Sequence, residues 1–264
     1  MTRAKRAWQI AWPPLATFLA VAGIIELTVT SGLVPRFILP APSDVFLSLW
    51  VDRIEFAEAA FATGFAASIG LMASFALGLS VAMALSFSRL ARRAFYPYAV
   101  FFQTVPIIAI APLLVIWFGY GQPTTIASAF IVSIFPTVAS ALAGLQSTER
   151  PLLDLFKLYG ASNGATLFKL RLPYAVPQIL SGLRIAAGMA IIGAIVGEFV
   201  GGGGLGAVVD SARTQQRADK VFAAVAVASL LGLALVSAVD ALQICVFARW
   251  GTFEPESEAK TKGI

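Results

Sequence analysis

Apolar residues run through this chain in long blocks, and polar residues separate the blocks rather than alternate within them. Six runs stand out, at about 12–29, 59–87, 98–118, 124–145, 176–200 and 221–248. A helix needs roughly 20 apolar residues to cross a bilayer. The pattern therefore predicts an all-α membrane protein with six transmembrane helices. Within the second run, Ala62, Ala66, Gly70, Ser74, Gly78, Ala82 and Ser86 follow at i+4 steps, and Gly182, Ala186, Ala190 and Ala194 do the same in the fifth. Such ridges of small residues let helix backbones approach closely in lipid. Pro106 and Pro112 predict a kinked or broken third span, and Pro136 falls in the fourth. Broken helices at membrane depth line cavities. Gln103 and Thr104 on the third span, with Ser133 and Thr137 on the fourth, are thus candidates for a translocation path, although a helix-packing role suits them equally.

The longest polar interruption in the second half is Asp154–Pro173. Leu152, Leu155, Phe156 and Tyr159 recur at helical spacing, and Pro151 suits a first turn. Gly160 can stop that helix in a left-handed conformation. Ser162 can cap a second short helix, which is expected to end before Pro173. The expected product is a helix–glycine–helix knuckle whose apolar face has no obvious core to join. Between the first two spans, residues 31–58 carry Pro35, Pro40 and Pro42, with Ser43 as an expected helix cap before Asp44. A cleaved signal peptide competes with the first span, but no clear small-x-small site follows it.

Composition narrows the class. The chain of 264 residues is 58% hydrophobic and 12% charged, with mean hydropathy +0.83; soluble domains carry about 25% charged residues. The net charge of +5 forms no single patch, which excludes a nucleic-acid interface. There is no His and one Cys, Cys245. That removes His-based catalytic and metal sites, and no catalytic or metal-ligating set is expected. Sorting the basic residues by side decides orientation. Arg3, Lys5, Arg6, Arg89, Arg92, Arg93, Arg150, Lys157, Lys169, Arg171, Arg249, Lys260 and Lys262 fall on one side, against Arg36, Arg53, Arg213, Arg217 and Lys220 on the other. The positive-inside rule puts the richer side, both termini and the knuckle in the cytoplasm. Residues 1–11 then form a cytoplasmic N-terminus, 12–248 the transmembrane domain and 249–264 a cytoplasmic tail. Arg184 and Asp240 sit at matching depth on the fifth and sixth spans, where unpaired charges cost about 2.5–3.5 kcal/mol, so they are expected to pair.

The knuckle resembles the signature loop of ABC-importer permeases, a Glu-Ala-Ala triplet, then Gly, then Leu-Pro. Gly160 and Leu172-Pro173 keep the family separation, and Gly160-Ala161-Ser162 keeps its local sequence. The triplet departs, reading Asp154-Leu155-Phe156. Leu39-Pro40-Ala41-Pro42, Gly182-Leu183-Arg184 and Gly197-Glu198-Phe199-Val200 are similar to the branch that moves sulfonates, taurine, nitrate and thiamine or riboflavin precursors. Glu198 with Gly204-Leu205-Gly206 resembles that family's Glu-x(5)-Gly-Leu-Gly outer loop. A phosphate-loop reading of the glycine run fails, since no Gly-Lys-Ser/Thr follows.

The resemblance implies the type I importer permease fold, with a coupling loop at 146–175 that docks on a separate ATPase. The chain is then the permease subunit of a binding-protein-dependent importer in the inner membrane of a prokaryote. It implies two ATP-binding subunits, a second copy of the permease, an extracytoplasmic binding protein and lipid as partners. It implies no cofactor in this chain, with ATP and Mg held by the ATPase. The alternative is an ion-coupled secondary transporter using Glu26, Arg184, Glu198 and Asp240 as a relay. A membrane enzyme lacks most catalytic parts here.

Overall fold

The computed structural model describes residues 3–250, and every regular element among them is helical. In chain order they are α1 (Arg3–Thr30), α2 (Pro42–Val51), α3 (Arg53–Ser86), α4 (Arg89–Thr104), α5 (Ile107–Phe118), α6 (Gln122–Gln146), α7 (Arg150–Leu158), α8 (Asn163–Thr166), a π turn (Leu167–Arg171), α9 (Leu172–Gly201), α10 (Gly204–Thr214) and α11 (Ala218–Trp250). Four continuous helical stretches are long and apolar enough to cross a membrane: Arg53–Ser86, Gln122–Gln146, Asn163–Gly201 and Ala218–Ala248. Ala16–Thr30 and Ile107–Phe118 are shorter apolar helices. The expected tail from 251 onward lies outside the described residues.

Helix α9 is the hub. It packs most extensively on α6 and also meets α3, α5, α10 and α11. Small residues make this possible. Of the i+4 ridge on α3, Ala66, Gly70, Ser74, Gly78, Ala82 and Ser86 are all buried. A Cβ on Gly70 would lie 2.6 Å from the Ala129 Cβ of α6, and one on Gly78 would lie 2.8 Å from Thr137 Cγ2. On α9, Gly182, Ala186, Ala190 and Ala194 are buried as well. A Cβ on Gly193 would sit 2.7 Å from the Ser128 backbone oxygen, and one on Gly197 2.7 Å from Ser128 Oγ. The helices α3, α6 and α9 therefore meet at backbone distance, where packing energy comes from many short contacts.

Local expectations hold in part. The third span is broken, as expected, with α4 ending at Thr104 and α5 starting at Ile107 after an extended Pro106. Pro106 has no N–H to continue the ladder, and its ring disfavours a helical Val105. Pro112, by contrast, is accommodated inside α5. Arg89, Arg92 and Arg93 are not a turn; they form the first turn and more of α4, and only Phe87 and Ser88 separate it from α3. Ser43 does not cap α2. Ala41 holds the N-cap position, and Ser43 points its N–H and hydroxyl at the Glu26 carboxylate of α1, at 3.1 and 2.7 Å. A carboxylate from a neighbouring helix has taken over the role of satisfying an orphan N–H in the first turn. Finally, the winding that begins at α8 does not stop before Pro173; it passes through the π turn straight into α9. A proline ring clashes with the carbonyl four residues back, here Lys169, and the wider π turn over Leu167–Arg171 removes that conflict.

Candidate functional site: the α7–α8 knuckle and the charges within the bundle

The knuckle is built by local rules. Pro151 lies in the first turn of α7. At the other end, Gly160 adopts φ +68°. Its N–H donates to the Lys157 carbonyl, and the Ala161 N–H donates to Phe156, both at 2.9 Å. That pair of bonds is a Schellman stop. Ser162 then caps α8, its Oγ accepting from the Ala165 N–H at 3.2 Å. Among the described residues, Asp154 pairs only with Lys157 on its own helix, at 3.4 Å and in solvent, and α7 packs against no other element beyond isolated contacts. Yet Leu155 is 45% exposed, Leu158 85% and Tyr159 83%. Exposed apolar patches of this kind are where proteins commonly meet partners. The knuckle is anchored at its base, where Leu167 is buried with Ala82, Ala141, Leu145, Ala175 and Ile179.

The four charges of the relay alternative fall into three separate groups. Arg184 Nε lies 3.2 Å from Asp240 Oδ1, across α9 and α11. Glu26 binds Ser43, as above. Glu198 is 2% exposed, and its Oε2 accepts from Thr63 Oγ1 and from the Gly206 N–H, each at 2.9 Å. Thr63 Oγ1 in turn accepts from the Leu205 N–H at 3.0 Å. One carboxylate thus ties the last turn of α9 to the start of α10 and to α3. This explains the Glu-x(5)-Gly-Leu-Gly spacing physically. Gly204 sits at φ +59°, and a Cβ there would collide with the Glu198 carboxylate; a Cβ on Gly206 would collide with the Ile195 carbonyl. No relay connects the three groups among the described residues.

The four path candidates divide. Gln103 and Thr104 are exposed on the last turn of α4, immediately before the break. Ser133 and Thr137 are buried in the α3–α6 seam, donating to the carbonyls of Ala129 at 2.7 Å and Ser133 at 2.9 Å on their own helix. Their hydroxyls are spent on backbone, as Ser and Thr side chains in helices commonly are. Among the described residues, no group of three or more acidic, His or Cys side chains is arranged to hold a metal.

At the α10 end, sequence reading missed a further polar cluster. Lys220, nearly buried, pairs with Glu55 at 2.7 Å and Asp52 at 3.5 Å. Arg217 binds Asp219 at 2.9 Å and Asp52 at 3.5 Å. The hydrogen bond to Asp219 holds the Arg217 pKa above its ordinary value, so it stays a cation throughout. Sequence reading sorts Arg217 and Lys220 by side and gives neither a partner. Thr63 and helix α10 were also missed, the first hidden in an alanine-rich run and the second by a glycine-rich start that reads as loop.

Comparison with known proteins gives one consistent picture. Residues 74–249 match the family described as binding-protein-dependent transport system inner membrane component. A probable ABC transporter permease protein of Haemophilus influenzae is 37% identical, over 84% of this chain and 93% of that protein. The formylaminopyrimidine transport permease protein ThiX of Halalkalibacterium halodurans is 35% identical over 90% and 96%. The taurine transport system permease protein TauC of Escherichia coli is 32% identical over 81% of each chain. Among solved structures, an inward-facing form of the MetNI methionine ABC transporter aligns with TM-score 0.60 and 19% identity, over 79% of this chain and 98% of that one.

Proposed function

We propose a working arrangement for this chain on the premise that it belongs to the family of binding-protein-dependent transport system inner membrane components. It is a permease subunit of an ABC importer, and ATP hydrolysis belongs to a separate subunit. Six spans, supplied by α1, α3, the split α4–α5, α6, α9 and α11, cross the inner membrane of a prokaryote. Both termini and the α7–α8 knuckle are cytoplasmic, while α2 and α10 lie outside. Two copies of the permease work with two ATPases, which hold ATP and Mg, and with an external binding protein that delivers a small solute. Asp154, Leu155, Phe156, Tyr159, Gly160, Ala161 and Ser162 present the docking surface, and Pro173 fixes the start of α9 behind it. Gln103 and Thr104, at the helix break, are the better placed of the path candidates. Relatives named for formylaminopyrimidine and taurine bracket the kind of solute, a small polar metabolite.

The observation that carries this reading is the apolar end of α7, set off the bundle by a glycine stop, with Leu155, Leu158 and Tyr159 left exposed among the described residues. The test is topology with assembly. Cys245 is exposed, so it is first replaced by serine. A cysteine at Thr214 should then react with a membrane-impermeant thiol reagent from outside, and one at Ser162 only from inside. The native complex should purify with two ATPase chains per permease pair. External labelling at Ser162 would overturn the arrangement.

A further inference from the structure

We infer that Arg171 is a positioning residue that carries movement of the knuckle into the α3–α4 turn, and so to the break in α4–α5. The inference rests on the knuckle being the ATPase-docking element. Arg171 closes the π turn between the knuckle and α9. Its Nη1 donates to the Ser86 carbonyl at 3.4 Å, across 85 residues of sequence. Ser86 is the last residue of α3. Carbonyls at a helix C-terminus lack helical partners and carry the negative end of the dipole, so a guanidinium is well placed there.

What lies beyond Ser86 gives the contact its meaning. Only Phe87 and Ser88 intervene before α4, and Ser88 starts that helix. Its Oγ accepts from the Ala91 N–H and its carbonyl from the Arg92 N–H, each at 3.2 Å. A displacement of Arg171 therefore reaches α4 through two residues, and α4 runs to Gln103 and Thr104 at the Pro106 break. The other polar tie at the knuckle base is weaker in reach: Tyr174 and Glu149, 3.3 Å apart, link the two ends of the same loop.

Arg171 is also unsaturated. Its Nε is buried with no hydrogen-bond partner among the described residues. A buried donor without an acceptor is unfavourable, and a guanidinium offers a rigid fork. This conformation uses Nη1 and leaves Nε idle. A π turn is an over-wide winding found often where helices serve function, and it gives the arginine room to re-seat. Here, then, is a two-position element between a docking surface and a broken helix.

The test uses the complete complex of permease, ATPase and binding protein, with Cys245→Ser and a reporter cysteine at Gln103. Reaction of that cysteine with a small maleimide is timed without nucleotide and after trapping with ATP and vanadate. In the Arg171-containing complex the rate should change by about fivefold or more on trapping, the low end of coupling between sites. With Arg171→Met the complex should still hold its ATPases and hydrolyse ATP, but the change at position 103 should vanish. Arg171→Lys, which restores a cation and N–H donors but not the planar fork, should recover part of it. Should Arg171→Met fail to insert, Arg171→Gln, with a neutral donor for Ser86, must diminish the change. An undiminished change in these variants, or none in the Arg171 complex, overturns the link. Loss of the ATPases from the unsubstituted complex would instead strike the docking role of the knuckle, a separate failure.

Discussion

The α3–α6–α9 seam and the α7–α8 knuckle use glycine for opposite reasons. In the seam, glycine removes volume. Gly70, Gly78, Gly193 and Gly197 leave room for a neighbouring helix whose atoms would otherwise be 2.6–2.8 Å from a Cβ. At Gly160 there is nothing within 4 Å of such a Cβ, and the residue is needed for its φ of +68°. One region spends glycine on contact, the other on direction. The difference teaches where each region's stability lies. The seam is held by its own chain, whereas the knuckle has a defined shape but an apolar surface that the other described residues leave exposed.

That contrast can be broken most severely at Gly193. Gly193→Val drives a branched side chain into the Ser128 backbone, which cannot step aside, so a loss of about 3 kcal/mol is expected. It should appear as a lower unfolding temperature of the detergent-solubilised protein and as poor recovery. Gly160→Val should behave differently. A β-branched residue in the left-handed region costs about 1–2 kcal/mol, but the strain falls on the knuckle alone. The permease should insert and unfold nearly as before, while its affinity for the ATPase drops about tenfold, measured by titrating the purified ATPase. Equal thermal damage from the two valines would erase the distinction.

The Arg184–Asp240 contact sharpens it from the bundle side. Arg184→Ala and Asp240→Ala should each destabilise, and the double variant should lose less than their sum by about 1 kcal/mol. Strict additivity in thermal unfolding would separate the two side chains. The smallest effect is expected at Gly164, on α8, where a Cβ meets nothing and the backbone is not left-handed. Gly164→Ala should stabilise by about 0.5 kcal/mol without changing ATPase affinity.

Much of the seam could be read from spacing. Small residues four apart must share a helix face, and that face is buried from Ala66 to Ser86. The knuckle was legible for the same reason: Pro151, Gly160 and Ser162 act through their own backbone, within a few residues. What stayed hidden depends on distant partners. Ser43 reads as a cap from sequence, yet it binds Glu26, 17 residues earlier. Thr63 and Glu198 are 135 residues apart, and Ser86 and Arg171 are 85 apart. No periodicity encodes such meetings. The π turn was hidden too, since Pro173 reads as a stop unless the winding before it widens.

What covers the end of α7 decides the role of the knuckle. A single cysteine at Leu158, in the Cys245→Ser background, should be joined to the ATPase by a short heterobifunctional crosslinker that takes the thiol at one end and a lysine amine of the ATPase at the other, in native membranes. A cysteine at Thr214, on the α10 end, should not. An adduct of permease plus ATPase from position 158 alone is the predicted result. No adduct from 158, or the same adduct from both positions, would contradict the claim that the knuckle is the docking element.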